Sequence, residues 1–178
     1  PDGGEYEGEA LDGERSGEGR MRYPGGGAYE GGWLNDKRHG EGVATAPNGN
    51  LYAGAFREDL RHGAGRYDFI VGGYYDGEWT DGAFDGVGER LWPDGDRYTG
   101  EWRAGERHGQ GIMDWPRRGW SYEGGWANDK RNGRGAMEYG DGETYEGGWR
   151  NDEFHGRGRY VWASGETYDG DWKDGRRE

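Results

Sequence analysis

The sequence predicts an all-β fold, an elongated single-layer antiparallel sheet of stacked β-hairpin repeats, each 23 residues long. Two observations support this prediction. An aromatic and glycine motif recurs at a fixed interval, and residue alternation together with turn-forming residues divides each interval into two short strands. The motif is Tyr-x-Gly-x-Trp, with Ala or Phe in the last position of two repeats, and one interval is 24 residues. Its tyrosines are Tyr6, Tyr29, Tyr52, Tyr75, Tyr98, Tyr122, Tyr145 and Tyr168.

Each repeat contains two predicted strands, as the second repeat illustrates. The first strand alternates with period two, which places Tyr29 and Trp33 on one face with a glycine between them. A polar loop at 35–39 leads to a second strand at 40–46, and a turn at 47–50 supplies the Pro and Gly that tight turns need. Glycines on the aromatic face leave room for a ring over the backbone. We therefore expect each Tyr and Trp to cover glycines of the adjacent strand.

The chain is predicted to be one continuous repeat array over residues 1–178. It stops part-way through a repeat, lacks an initiator Met and has no distinct cap, so we expect a fragment of a longer chain. An added residue between Pro116 and Trp120 lengthens one repeat, and a bulge is expected there. The predicted units are 6–28, 29–51, 52–74, 75–97, 98–121, 122–144, 145–167 and the partial unit 168–178.

The composition argues against several classes of function. The 42 Gly and 5 Pro would suggest disorder if they had no period, but the repeat and the 15% of aromatic residues favour a folded chain. Because Cys is absent, no disulfide framework or thiolate metal site is available, and we expect no cofactor. The net charge of −13 disfavours nucleic acid and acidic lipid surfaces. No apolar run approaches the roughly 20 residues that a membrane span needs.

The repeat resembles the MORN repeat (membrane occupation and recognition nexus) over essentially the whole chain. The resemblance is carried by Tyr-x-Gly-x-Trp followed by a short charged loop and His-Gly-x-Gly, as at 37–42 and in the related segment 106–111. It implies an antiparallel twisted sheet that binds partners through its aromatic face or its edges. The departures from the pattern include Ala10 at a Trp position and Phe84 and Phe154 in the charged loop.

From this resemblance we expect a non-enzymatic scaffold or spacer that binds other proteins in a cytoplasmic multiprotein assembly. Among the settings of MORN repeats, a ciliary one such as the axoneme is the leading expectation, because a chain made only of repeats resembles radial-spoke subunits. Self-association is a further expectation that stays open. The rival hypothesis is a regulatory or membrane-tethering region that binds phosphoinositides or accompanies a lipid kinase. Both functions are drawn from analogy with the fold family.

The aromatic face is the candidate partner-binding surface, because a large exposed strip of rings marks an interaction site. The alternative is that the rings pack on one another as the only core of this fold. Ala44 and Ala46 stand where other repeats have long or aromatic side chains, which predicts a dip. A partner pocket there, with Arg90 meeting a carboxylate, competes with simple sequence drift. The predicted partner-binding residues are Tyr29, Trp33, Tyr52, Phe56, Tyr75, Trp79, Arg90, Trp92, Tyr98, Trp102, Trp115, Tyr122, Trp126, Tyr145, Trp149 and Trp162.

The remaining polar residues predict no catalytic site and no metal site. The four His residues occupy one loop position in different repeats, so neighbouring ones lie roughly 10 Å apart and cannot share a metal ion. The Gly-x-Gly pairs open no helix, and no nucleophile motif is present. Basic loop residues such as Lys37 and Arg38 lie beside acids, whereas lipid sites need clusters of cations. The acidic opposite face is expected to be solvated, with docking of a basic partner as the alternative.

Overall fold

The computed structural model describes residues 3–178 as β-strands joined by short turns. Pro1 and Asp2, which belong to the predicted array, lie outside the described residues. No helix occurs in residues 3–178. The strands are β1 (Glu5–Leu11), β2 (Glu14–Arg22), β3 (Ala28–Leu34), β4 (Lys37–Thr45), β5 (Leu51–Arg57), β6 (Leu60–Asp68), β7 (Tyr74–Thr80), β8 (Ala83–Leu91), β9 (Arg97–Arg103), β10 (Glu106–Trp115), β11 (Trp120–Ala127), β12 (Lys130–Glu138), β13 (Thr144–Arg150), β14 (Glu153–Val161), β15 (Thr167–Lys173) and β16 (Arg176–Arg177).

The order of strands in the sheet is their order in the chain, and paired strands run antiparallel. Each repeat is therefore one hairpin, and the predicted all-β sheet of successive hairpins is confirmed. The chain forms two compact units, the first ending at Gly86 and the second spanning Val87–Glu178. Consecutive strands pair from β1 to β7 in the first unit and from β9 to β16 in the second.

The turn inside each hairpin is two residues long. In the second repeat the turn residues are Asn35, with φ of 50°, and Asp36, with φ of 64°. A two-residue turn with both residues left-handed matches the right-handed twist of the flanking strands, and Asn, Asp and Gly adopt it most readily. The longer loop predicted at 35–39 is wrong, because Lys37 already pairs with Leu34 across the hairpin.

The Gly-x-Gly element forms a bulge in the second strand of six hairpins. In β4, Gly42 pairs with Gly31 and Arg38 pairs with Trp33, so three residues of β4 lie opposite one residue of β3. Within this bulge Gly40 has φ of 73°, in the left-handed region that favours glycine. The first glycine of the pair is thus required by the backbone conformation.

The added residue of the longest repeat lies in the connection between β10 and β11. Pairing there continues without a shift from Met113 and Tyr122 to Trp115 and Trp120, one pair further than between β2 and β3. A four-residue turn at 116–119 then closes the connection. The bulge predicted here is wrong, because the extra strand pair and the turn absorb the residue.

The core lies on one face and consists of the motif tyrosines from Tyr29 to Tyr145, the aromatic residue four positions after each of them, Trp172, and the methionines Met21, Met113 and Met137. A Cβ atom built on Gly42 would lie 2.5 Å from Cε2 of Tyr29, closer than real Cβ atoms come, so the ring rests on this glycine. The centroid of the same ring lies 5.2 Å from that of Trp33 and 5.1 Å from that of Phe56 in the next hairpin, both edge-on. The expected covering of glycines by rings is confirmed. Edge-to-face pairs contribute about 0.5–1.5 kcal/mol each beyond burial of area.

Hydrogen bonds satisfy the polar groups of the buried rings, and those from the indoles link successive hairpins. The indole N–H of Trp33 donates to the carbonyl of Gly19 in the preceding hairpin at 3.2 Å, and the hydroxyl of Tyr29 donates to the carbonyl of Gly32 at 2.9 Å. The polar group of each ring is therefore satisfied, as burial requires. The indole bond recurs at Trp79, Trp102, Trp126, Trp149 and Trp172.

Candidate interaction surface

Twelve of the predicted partner-binding residues are buried core residues. Their relative exposure lies between 0% and 6%, so their rings fill the interior of the fold. The alternative derived from the sequence, that the rings pack on one another, describes these positions. Contact of their edges with a partner stays a prediction. The twelve are Tyr29, Trp33, Tyr52, Phe56, Tyr75, Trp79, Tyr98, Trp102, Tyr122, Trp126, Tyr145 and Trp149.

Half-buried rings lie at the end of the second strand, 17 residues after six of the motif tyrosines. The predicted site residues Trp92, Trp115 and Trp162 occupy this position. The backbone N–H of Trp92 donates across the turn to the carbonyl of Asp96 at 2.8 Å, which fixes the ring beside the turn. The fixed spacing was the signal that identifies the other members, which the sequence prediction left out of the site. We call the seven positions the aromatic rim: Tyr23, Ala46, Phe69, Trp92, Trp115, Tyr139 and Trp162.

Further rings widen the rim in the second unit. Tyr139 lies 5.3 Å from Trp120 and 6.4 Å from Tyr160, measured between ring centroids, and Tyr160 lies 4.7 Å from Trp162. All four rings are half-buried. The hydroxyl of Tyr160 donates to the carboxylate of Glu143, which fixes the ring plane. These side chains form a connected aromatic patch that solvent reaches.

Arginines on the second strand are clamped by an aspartate from the turn of the next hairpin. In Arg38 the backbone N–H and Nε each donate to Oδ1 of Asp59 at 3.0 Å, and Nη2 donates to the carbonyl of Asp59 at 2.7 Å. The guanidinium also lies 5.0 Å from the Phe56 ring centroid. The same arrangement holds for the pairs Arg15–Asp36, Arg107–Asp129 and Arg131–Asp152.

Phenylalanine takes the place of the clamped arginine in two repeats. Phe84 stacks on Tyr75 with ring centroids 3.7 Å apart, and Phe154 stacks on Tyr145 at 3.8 Å. The guanidinium of Arg and the ring of Phe at this position therefore both pack against the motif rings. This position is part of the wall of the core, although its sequence context suggested an exposed loop.

The comparisons with known proteins agree with this geometry. The MORN repeat family model matches eight segments of the chain, at residues 6–28, 29–51, 52–74, 75–97, 98–119, 122–144, 145–167 and 168–178. This chain belongs to the MORN repeat family. No curated protein matches it.

Two solved structures from Drosophila melanogaster are similar to this chain. The SAS-4 (dCPAP) TCP domain, in complex with a proline-rich motif of Ana2 (dSTIL), has a TM-score of 0.53 and 14% identity over 96% of this chain and 90% of that chain. The TCP10c domain of Sas-4 has a TM-score of 0.48 and 13% identity over 96% of this chain and 99% of that chain. At this identity the first likeness concerns the fold alone.

Residues of the first four MORN repeats, most of them from the second and third, line a cavity of about 420 Å³. It lies at Ala44 and Ala46, where the sequence predicts a dip. The corresponding positions of the first MORN repeat hold Met21 and Tyr23, so the two alanines leave space that larger side chains fill elsewhere. The apolar part of its wall includes Tyr23, Pro47, Phe56 and Leu60.

Arg90 is not among the residues that line this cavity. Its guanidinium lies 5.5 Å from the centroid of the Trp92 ring, and burial lowers its pKa. The hypothesis that Arg90 receives a carboxylate in the cavity is therefore corrected. The charged residues that line the cavity are Arg38, Asp59 and Arg61.

The face opposite the aromatic rings carries exposed ion pairs between neighbouring strands. Arg20 and Glu30 approach to 2.6 Å with side chains 51% and 64% exposed, and Arg157 and Asp169 approach to 2.8 Å. Exposed pairs of this kind contribute about 0–1 kcal/mol each. The face is solvated, as the sequence predicts, and its arginines have acidic neighbours.

Burial sets the protonation state of the motif tyrosines. It raises the pKa of Tyr29, Tyr52 and Tyr145 to about 12, the desolvation of the phenolate being the largest cause in each. These hydroxyls are neutral at physiological pH and donate to backbone carbonyls, as Tyr52 does to Ala55 at 2.9 Å. They serve the core and offer no activated proton donor or acceptor.

Among the described residues, no group of three His, Asp or Glu side chains lies close enough together to hold a metal ion. Two of the histidines lie near turn aspartates instead, with Nδ1 of His62 3.9 Å from Asp81 and Nδ1 of His155 3.7 Å from Asp174. In residues 3–178, no helix is long and apolar enough to cross a membrane.

Proposed function

We propose that this MORN chain is a non-catalytic scaffold that binds other proteins along its aromatic rim. The observation that carries the proposal is a half-buried ring at six of the seven rim positions, on a backbone that the buried core rings hold in place. Aromatic side chains provide a large contact area at a low cost in conformational entropy, and they dominate interface energies. Within each unit, rings fixed in this way are suited to a protein partner.

The connected patch in the second unit gives the proposal its strongest local support. Trp120, Tyr139, Tyr160 and Trp162 contact one another at ring-centroid distances of 4.7–6.4 Å and stay half-exposed. Rings that support one another are already ordered before binding, so a partner loses little further entropy by docking on them. The buried residues of the predicted site contribute by holding this patch in position.

We propose extended, proline-containing segments as the partner chemistry. Such segments form polyproline II helices whose flat rings dock between aromatic side chains at little entropic cost. The TCP domain with a similar fold is in complex with a proline-rich motif of another protein, which supports the idea that an open sheet of this kind takes such a ligand. Self-association of two sheets is an alternative that the same experiments separate.

We propose a cytoplasmic assembly, with a ciliary structure such as the axoneme as the setting, on the basis of the MORN family. Phosphoinositide binding is the rival. The clamped arginines weigh against it, because Arg38, for example, already has its backbone N–H, Nε and Nη2 bonded to Asp59. A lipid phosphate would have to displace that aspartate, and the net charge of −13 opposes its approach.

Affinity capture from a cell lysate with the chain as bait tests the proposal. The rim variant is Trp115→Ala/Trp162→Ala, and the matched control is Ile112→Ala, which removes an apolar side chain, 41% exposed, from the opposite face. Circular dichroism confirms that each variant is folded. We expect a defined set of proteins to bind the unmodified chain and the control and to be lost from the rim variant.

A parallel measurement uses proline-rich synthetic peptides and vesicles that contain phosphatidylinositol phosphates. Peptides that bind the chain, and lose binding in the rim variant, support the proposed partner chemistry. If proteins bind the rim variant as well as the unmodified chain, the rim is not the docking surface. Binding to vesicles without binding of any protein would replace the scaffold by the membrane hypothesis.

A further inference from the structure

We infer that the cavity beside Ala44 and Ala46 binds an acidic side chain of a partner protein, with Arg61 receiving the carboxylate. The inference rests on the proposed function and adds the chemistry of one contact. Two departures from the repeat coincide at this place: the carboxylate that clamps the arginine is missing, and the ring that fills the rim is missing.

The missing carboxylate is visible by comparison with the other clamps. In Arg107 the backbone N–H and Nε donate to Oδ1 of Asp129 at 3.0 and 2.9 Å, and Nη2 donates to the carbonyl of Asp129 at 2.9 Å. At Arg61 the residue in the place of the aspartate is Gly82. Only the backbone part of the clamp is retained, as Nη2 donates to the carbonyl of Gly82 at 3.1 Å.

Arg61 lies in the same position as the clamped arginines, although the clamping aspartate is missing. Its guanidinium lies 4.4 Å from the Trp79 ring centroid and 5.0 Å from that of Tyr67. In the described part of the chain no carboxylate lies within 4 Å of it, and burial lowers its pKa. A partly buried cation without a counter-charge is costly, and an incoming carboxylate relieves that cost.

There is also room for the incoming group. A Cβ atom built on Gly82 meets nothing within 4 Å, and Gly82 and Arg61 both line the cavity of about 420 Å³. Phe56 stands where most repeats have Trp, and its smaller ring adds to the space. The occupant is thus a carboxylate next to apolar atoms, because Leu60 and Phe56 face the same volume.

The position of the cavity favours a partner protein as the source of this carboxylate. Ala46 is the rim position without a ring, and Tyr23, the preceding rim residue, lines the cavity. A segment that lies along the rim from Tyr23 to Phe69 passes over the opening. We therefore assign the occupant as an extended partner segment that carries Asp or Glu beside an aliphatic or proline residue.

The decisive variant is Gly82→Asp, which supplies the missing carboxylate from within the chain. Gly82 has φ of 89°, and Asp occupies the same turn position with φ of 64° at Asp36 and 70° at Asp59, so the fold accepts this residue. The matched control is Gly175→Asp, which adds the same charge at the same turn position of another hairpin, beside Phe154 instead of an arginine.

The probe is a panel of 12-residue synthetic peptides that contain proline and leucine around one Glu, each paired with its Gln analogue. Fluorescence anisotropy measures the Kd. For the unmodified chain we expect Glu peptides to bind at least about tenfold tighter than their Gln analogues, as charge-assisted hydrogen bonds imply. Gly82→Asp should abolish this preference, while Gly175→Asp should retain it. The Nε–H resonance of Arg61 should shift on addition of the Glu peptide alone.

The outcomes separate this inference from the proposed function. If the rim variant loses its captured proteins but Glu and Gln peptides bind equally, the scaffold function stands and the assignment to Arg61 is overturned. The assignment also fails if Gly82→Asp binds the Glu peptides as tightly as the unmodified chain, or if no peptide of the panel binds. Absence of any rim-dependent protein would overturn the proposed function itself.

Discussion

Replacement of Trp149 by alanine tests whether the motif rings are core. Trp149 is 4% exposed, and its ring centroid lies 5.3 Å from that of Tyr122 and 5.2 Å from that of Tyr145. Its indole N–H donates to the carbonyl of Gly135 at 3.2 Å, and the guanidinium of Arg131 lies 4.3 Å from the ring centroid. We expect Trp149→Ala to lower the free energy of unfolding by about 3–5 kcal/mol, as for other buried tryptophans.

Two further variants separate the contribution of ring burial from that of the indole hydrogen bond. Trp149→Phe keeps an aromatic ring, as Phe56 does naturally, but loses the indole bond to Gly135 and some area, so a loss of about 1–2 kcal/mol is expected. Trp162→Ala removes a half-buried rim tryptophan and should cost about 1 kcal/mol or less, because it leaves no buried cavity. The order of the three losses is thus fixed by burial and hydrogen bonding.

Urea unfolding followed by far-ultraviolet circular dichroism measures these losses without relying on tryptophan fluorescence. A large local loss of stability in a repeat array lowers the urea midpoint of unfolding or splits the unfolding transition into two, because neighbouring hairpins stabilise one another. The reasoning is refuted if Trp149→Ala is no more destabilising than Trp162→Ala. In that case the motif rings would be surface residues, and the separation of core from rim would be incorrect.

Three other predictions concern the clamp, the covered glycines and the tyrosine hydroxyls. Asp152→Ala should lower the free energy of unfolding by about 1 kcal/mol in urea, since the partly exposed clamp on Arg131 loses its carboxylate but keeps its backbone bond. Gly42→Ala should cost about 1–3 kcal/mol because its Cβ would overlap the Tyr29 ring, whereas Gly25→Ala, with nothing within 4 Å, should stay within about 0.5 kcal/mol. The folded state raises the pKa of Tyr29 to about 12. It therefore binds more protons than the unfolded state above about pH 10, and stability should be constant up to pH 9 and fall between pH 10 and 12 in a circular dichroism titration.

The repeat and its strands could be predicted because they depend on spacing alone. The interval between motif tyrosines defines one hairpin, and the alternation from Tyr29 to Trp33 defines one face of it. The dip at Ala44 and Ala46 could also be predicted, since a small side chain in a fixed register leaves space whatever the details of packing. These inferences need only the direction of side chains in a strand.

Burial of the aromatic rings could not be decided from spacing. Whether a ring lies flat over glycine or points to solvent depends on its side-chain torsions, and both arrangements fit the same alternation. The arginines were misjudged for a related reason. Arg38 stands next to Lys37 in sequence and suggests a basic loop, but its partner Asp59 lies 21 residues further along, in the turn of the next hairpin. Only the paired register of neighbouring hairpins brings them together.

The clamp positions show why Arg61 is better explained by a partner than by drift. Arg15, Arg38, Arg107 and Arg131 each donate to an aspartate in the turn of the next hairpin. Where Phe154 takes the place of the arginine, Gly175 takes the place of the aspartate. The physical reason is that Phe154 stacks on Tyr145 and needs no acceptor, while an aspartate beside it would lose its donors.

Arg61 with Gly82 is the pair that mixes the two arrangements, keeping the cation and losing the acceptor. Neutral drift would place such a mismatch in any repeat. Here it coincides with the cavity at Ala44 and Ala46. The arginine that lacks its aspartate and the rim position that lacks its ring therefore line the same cavity. A partner carboxylate beside an apolar group would supply the missing acceptor for Arg61 and fill the space left by the missing ring. Gly82→Asp therefore has a two-sided consequence: it should stabilise the free chain by restoring the clamp, and it should weaken binding of the acidic segment. A variant that gains stability in urea and still binds the Glu peptides would show that the mismatch has no role in recognition.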